Sequence, residues 1–118
     1  ERTTSHIQRN TNIPKILKKD YDFKCQVCDI RLEANGVPYA IGAHIKGLGT
    51  PHEGPDIREN MLILCPNCHY LFDAFAFSIA DDFSLIGKEG QLTVNRNHNI
   101  ELDFIRYHRE KYEIASRI

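Results

Sequence analysis

Four cysteines in two pairs, Cys25-Gln26-Val27-Cys28 and Cys65-Pro66-Asn67-Cys68, limit what this chain can fold into more than any other feature. A CxxC turn aims two sulfurs at one point, and two such turns present a tetrahedral thiolate site of the kind zinc takes. Between the pairs lie 36 residues, more than the ~15–20 of a plain zinc ribbon. The insert therefore reads as a functional unit clipped at both ends by the metal. The second pair alone would also suit a redox motif, and four thiolates an iron–sulfur centre. The matched pairs favour structural zinc on Cys25, Cys28, Cys65 and Cys68. With no secretory signal at the start, they also point to a reduced compartment, hence the cytoplasm.

Length and charge bound the rest. The 118 residues suffice for one domain with a modest core. A net charge of −1 excludes a domain that grips nucleic acid by overall charge alone. Such affinity would have to come from a local basic patch or a neighbouring domain. No apolar stretch approaches the ~20 residues of a membrane span, so no membrane partner is expected. The first residue is Glu and not Met, and the chain is read as a piece of a longer protein.

In chain order, residues 1–12, with Arg2, His6 and Arg9, read as a polar arm, and residues 13–118 as the domain. Residues 13–22 predict a short helix, capped by Asn12 and with Pro14 in its first turn. Ile13, Ile16 and Leu17 fall on one side of it. Its lysines 15, 18 and 19 read as a solvated face or as a phosphate-contacting patch. Phe23 to Asp29 reads as a strand end leading into the first cysteine pair. Asn35-Gly36 is a tight-turn signal that brings residues 39–45 back as a strand containing His44. Residues 46–60 form a long irregular loop with three glycines and two prolines, a length that in a compact domain is usually functional. Met61 to Leu64 predicts a short buried strand. Pro66 opens a helix to about Phe75, with Leu71, Phe72 and Phe75 on its buried side. His69 and Asp73, four apart, share one face of it. Small strands joined by turns follow over residues 76–95. A C-terminal helix spans about 101–115, with Leu102, Ile105 and Tyr112 on one stripe. His98 and His108 read as ordinary.

A strand His, a loop Asn and a helix His can converge where a two-stranded hairpin packs on a helix, and such a site suits metal-assisted phosphodiester hydrolysis. At Ala43-His44-Ile45, at Asn60 and over residues 64–73 (LCPNCHYLFD), the chain resembles the HNH endonuclease family. More narrowly, GAHIKGLGTPHEGPD followed by NMLILCPNCHYLFD is similar to HNH domains found behind SRA/YDG domains in prokaryotic modification-dependent restriction enzymes. The resemblance covers about residues 20–90, and more weakly Tyr107-His108-Arg109.

The resemblance implies an α+β fold with a ββα-metal (His-Me finger) core at about residues 23–87, the zinc-knuckle pair, flanking helices and a small added hairpin. It implies a DNA endonuclease with His44 as general base and His69 as a ligand of the catalytic ion, Mg²⁺ or Mn²⁺. Asn60 would fix the hairpin and His44, or bind the metal. The substrate would be DNA, including DNA with methylated or hydroxymethylated cytosine, read by a targeting domain N-terminal to this piece. Cutting both strands needs two sites, which suggests a homodimer. One position departs from the family. Many of its members carry a metal-binding Asp, Glu or His before the base, where this chain has Ala43. Asp73 is the first substitute; His52 and Asp56 in the loop come after it. Ala43 also supports a rival reading, a catalytically inactive zinc-dependent nucleic-acid-binding module.

Overall fold

The computed structural model describes residues 10–117. Most of the expected polar arm, with Arg2, His6 and Arg9, lies outside them. The elements run α1 (Asn12–Asp20), β1 (Leu32–Ala34), β2 (Val37–Tyr39), β3 (Ile41–His44), β4 (Met61–Leu64), α2 (Pro66–Asp73), β5 (Ser78–Ile79), β6 (Leu85–Ile86) and α3 (Leu102–Ala115), with a single 3₁₀ turn at Arg58–Asn60 before β4. The strands form three separate antiparallel pairs: β1 with β2, β3 with β4, and β5 with β6.

β4 is the spine. Its four residues, Met-Leu-Ile-Leu, are all buried, as an uninterrupted apolar run requires when both faces of a strand are covered. Strand alternation sends Leu62 and Leu64 into one core with Cys65, Cys68, Phe72, Phe77, Ile79 and Ile105. Met61 and Ile63 go into a second core with Leu17, Tyr21 and Ala40. The first core seats α2 and α3, the second α1. On one edge β4 pairs with β3, in a register that sets His44 opposite Met61 and Ala43 opposite Leu62. On the other edge Gln26, itself buried, takes the place of a strand. Its backbone N–H donates to Ile63 O (2.8 Å), and its Oε1 accepts from Ile63 N–H (2.8 Å).

The Asn35-Gly36 turn forms, with both residues at positive φ. The chain then bends at Ala40, and β3 leaves β1 to pair with β4, because Ala43 and Ile45 have a core to enter on that side. Phe23 to Asp29 is no strand and makes only an isolated bridge from Lys24 to Arg31. Asn12 does not cap α1. It lies inside the helix, whose side-chain acceptor comes from Asn10 Oδ1, 3.0 Å from Asn12 N. Ile16 and Leu71, expected inside, are exposed at 54% and 38%. Both helices are short, and one stripe on each (Leu17; Cys68 and Phe72) suffices to seat it. On α3 the fully buried residues are Ile105 and His108, with Tyr112 only half-buried.

Candidate functional site

The four cysteines come together. All four Sγ atoms lie within 4.8 Å of one another, and the Cys28 and Cys65 sulfurs are 3.6 Å apart. A zinc–sulfur bond of about 2.3 Å gives a tetrahedral edge of about 3.8 Å, so the cluster has the dimensions of a four-thiolate site. Each pair also closes on itself, Cys28 N–H to Cys25 Sγ and Cys68 N–H to Cys65 Sγ, both at 3.5 Å. Burial, and after it the neighbouring Cys25, raises the Cys68 and Cys28 thiols above their ordinary value. Cys65 goes the other way. Burial alone would raise it, but the bond from Cys68 N–H and the adjoining thiols lower it. Four thiols so crowded ionise together only against a cation, so the donor set fits a metal ion.

Cys65 is also the N-cap of α2, and Pro66 is its first residue. A sulfur that caps a helix start sits at the positive end of the helix dipole. The cysteine cluster therefore sets where α2 begins, and α2 carries His69 directly after Cys68.

Beside it lies a cleft of about 560 Å³ lined by His44, His52, His69, Asp73, Tyr107 and His108, together with backbone and apolar groups of β3 and the loop after it. His44 reaches it from the end of β3, and His69 and Asp73 from one face of α2. His69 Nε2 and Asp73 Oδ2 are 3.0 Å apart. Partial burial raises the Asp73 carboxyl above the usual carboxylate value, with His69 and then His44 opposing the rise. An anion in that position favours a cation at its side. Among the described residues, only the four cysteines bring three or more ligating side chains within reach of one point. An ion at His69 and Asp73 would complete its shell with water and substrate oxygens, as Mg²⁺ does.

Ala43 is buried and belongs to the core. Asn60 is fully buried as well. Its Oδ1 accepts from Lys46 N–H (2.8 Å), and its Nδ2 donates to the carbonyls of Lys46 and Pro55 (both 2.9 Å). Its amide thus buckles both ends of the 46–60 loop to the start of β4 and does not reach the cleft. Asp56, weighed from the sequence as a metal ligand, instead has Oδ1 2.8 Å from His44 Nε2. His52 Nδ1 is 2.6 Å from the Tyr107 hydroxyl.

His98 and His108, read as ordinary, are buried fasteners. Nε2–H of His108 donates to Phe72 O (2.8 Å), and its Nδ1 accepts from Ser78 Oγ (2.8 Å). Its ring stacks on Phe72 at 3.7 Å. Burial lowers its pKa to about 4, which keeps it neutral. His98 Nε2–H donates to Arg58 O, and Tyr21 hydroxyl donates to its Nδ1. No sequence signal separated these two from solvated histidines, because their partners lie 30 to 77 residues away.

Comparison with known proteins agrees with this fold. Residues 25–80 match the family model described as HNH endonuclease. A solved structure described as the modification-dependent TagI restriction endonuclease superposes with a TM-score of 0.84 at 44% identity, over 87% of this chain and 38% of that one. This chain thus spans well under half the length of that protein. No curated protein matches. A β-hairpin and helix that carry His44, Asn60 and His69 in order, with the family match laid over them, make residues 25–80 a domain of the HNH endonuclease family.

Proposed function

We propose that this domain is a DNA endonuclease that hydrolyses phosphodiester bonds, and that it is the cleavage module of a modification-dependent restriction enzyme. The observation that carries the reading is the cleft in which His44 from β3 faces His69 and Asp73 from α2. In this reading His44 is the general base. It takes a proton from water as the water oxygen bonds to phosphorus and the bond to the 3′ oxygen breaks, leaving 5′-phosphate and 3′-hydroxyl ends. His69 and Asp73 hold a divalent ion, Mg²⁺ or Mn²⁺. When bound, that ion supplies Lewis-acid stabilisation of the phosphate and of the leaving oxygen. Asn60 is the buckle that fixes the loop and, through it, the cleft. The four cysteines hold a structural zinc.

The DNA backbone is seated beside the cleft. Lys46 Nζ lies 4.6 Å and Lys111 Nζ 5.3 Å from the centre of the Tyr107 ring. Among the described residues neither lysine is in an ion pair. Two free cations on one aromatic post at the lip of the cleft suit phosphate. Recognition of modified cytosine falls to a targeting domain elsewhere in the same protein, and a homodimer supplies the second strand's site. No helix among the described residues is long and apolar enough to cross a membrane; the four unpaired thiols suit a reducing, cytoplasmic setting.

The test is nicking of supercoiled plasmid, methylated and unmethylated, in EDTA, Mg²⁺ or Mn²⁺, beside a zinc-loaded His44→Ala control. Metal-dependent nicking that disappears in the control is the expected result. Nicking that survives His44→Ala would remove the assigned base. A folded, zinc-loaded protein that binds DNA but fails to cut it under any of these metals would be the inactive binding module for which Ala43 argues.

A further inference from the structure

We infer that Asp56 is the positioning residue of the His44 base, setting which ring nitrogen carries the proton. The inference rests on the proposed nuclease reading of the same cleft. β3 fixes the His44 backbone through its pairing with Met61, but the ring can still turn about two side-chain bonds. Among the described residues, the one hydrogen bond that holds the ring runs from Nε2 to Asp56 Oδ1, 2.8 Å away, with both side chains only 15% exposed. A carboxylate only accepts, so Nε2 carries the hydrogen. Nδ1 is then the lone pair left to take a proton from water. Once Nδ1 is protonated, the carboxylate at 2.8 Å stabilises the imidazolium.

Asp56 is itself held for this task. Its Oδ2 accepts from Asn10 N–H (2.6 Å). The preceding carbonyl, of Pro55, is tied to Asn60 Nδ2, and Gly54 N–H donates to Gly47 O (2.6 Å). Both oxygens are thus engaged, and Asp56 is not among the residues that line the cleft with His69 and Asp73. Asp56 acts on the base and does not ligate the ion, the role for which the sequence offered it after Asp73.

The experiment compares single-turnover nicking by wild type, Asp56→Asn, His44→Ala and the double variant in the whole protein, with DNA affinity and zinc content measured for each. Asp56→Asn should lower the cleavage rate about 100-fold, leave DNA affinity and zinc content unchanged, and cost nothing further on top of His44→Ala. The last result is the signature of a residue that acts only through the base. Wild-type cleavage with Asp56→Asn within threefold of it, or a further loss in the double variant, would overturn the assignment and leave the nuclease reading standing. A wild type that fails to cut under any metal overturns both. Nitrogen-15 spectra of the wild-type His44 ring serve if the variants do not fold. A hydrogen on Nε2 supports the assignment, and one on Nδ1 refutes it.

Discussion

His44 and His108 line the same cleft, yet their surroundings assign them to different work. His108 is almost wholly buried, with both ring nitrogens paired, and burial lowers its pKa to about 4. The unfolded chain takes up a proton near pH 6.5, so between about pH 6.5 and 4 it binds more protons than the fold does. Stability from this site is complete above pH 6.5 and is lost as pH falls through that window, by up to about 3 kcal/mol. His108→Gln offers an amide N–H to Phe72 and an amide oxygen to Ser78 and does not titrate. Melting temperatures measured across pH 4–7 should fall less steeply for the variant, once zinc content has been matched at each pH. Asn60 is the other residue whose removal reaches far. Its replacement by alanine leaves the N–H and carbonyl of Lys46 without partners and should cost about 3 kcal/mol, seen as a shift in the denaturant midpoint at an unchanged slope.

At the scale of elements, the 46–60 loop is as much part of the site as the strand and the helix. A Cβ on Gly54 would lie on the Lys46 carbonyl, where only glycine lets the two backbones meet. Gly54→Ala should therefore open the loop at its waist, lower stability by about 2 kcal/mol and slow nicking through displaced Asp56, while DNA affinity stays close to wild type. The neighbouring cations make a separate prediction. Lys46→Gln and Lys111→Gln should each flatten the salt dependence of DNA binding by about one in logarithmic slope, measured by anisotropy in EDTA.

How far this region could be read in advance follows from its interactions. The cysteines stand out because spacing along the chain encodes them, and His44, Asn60 and His69 because the stretch around them resembles a known family. β4 was legible because four consecutive apolar residues need two covered faces. The pairing of β3 with β4 and not with β1 was not legible, since it depends on what Ala43 and Ile45 find beneath them. Nor was the aim of Asp56, which is decided by a loop whose shape comes from Asn60 and Gly54 together. Gln26 standing in for a strand left no local trace at all.

For the whole molecule, the cysteine cluster is the joint between the two halves of the site. Cys25 and Cys28 precede the hairpin, while Cys65 caps α2 and Cys68 adjoins His69. Stripping zinc with a thiol-selective chelator should lower the melting temperature by at least about 10 °C. It should also abolish nicking that added Mg²⁺ alone does not restore, because α2 would no longer begin where His69 and Asp73 face His44. Returning zinc before Mg²⁺ should recover it. The expected order of addition separates a structural ion from a catalytic one in a single titration.

The bond from Asn10 to Asp56 has a consequence for how the site can be read by substitution. Its donor is a peptide N–H, which nineteen of the twenty amino acids supply equally. A scan of side chains at position 10 would pass over it in silence, and Asn10→Ala should cut DNA at the wild-type rate. Proline alone deletes the donor. A slow Asn10→Pro beside a normal Asn10→Ala would make visible a contact that no comparison of side chains could register.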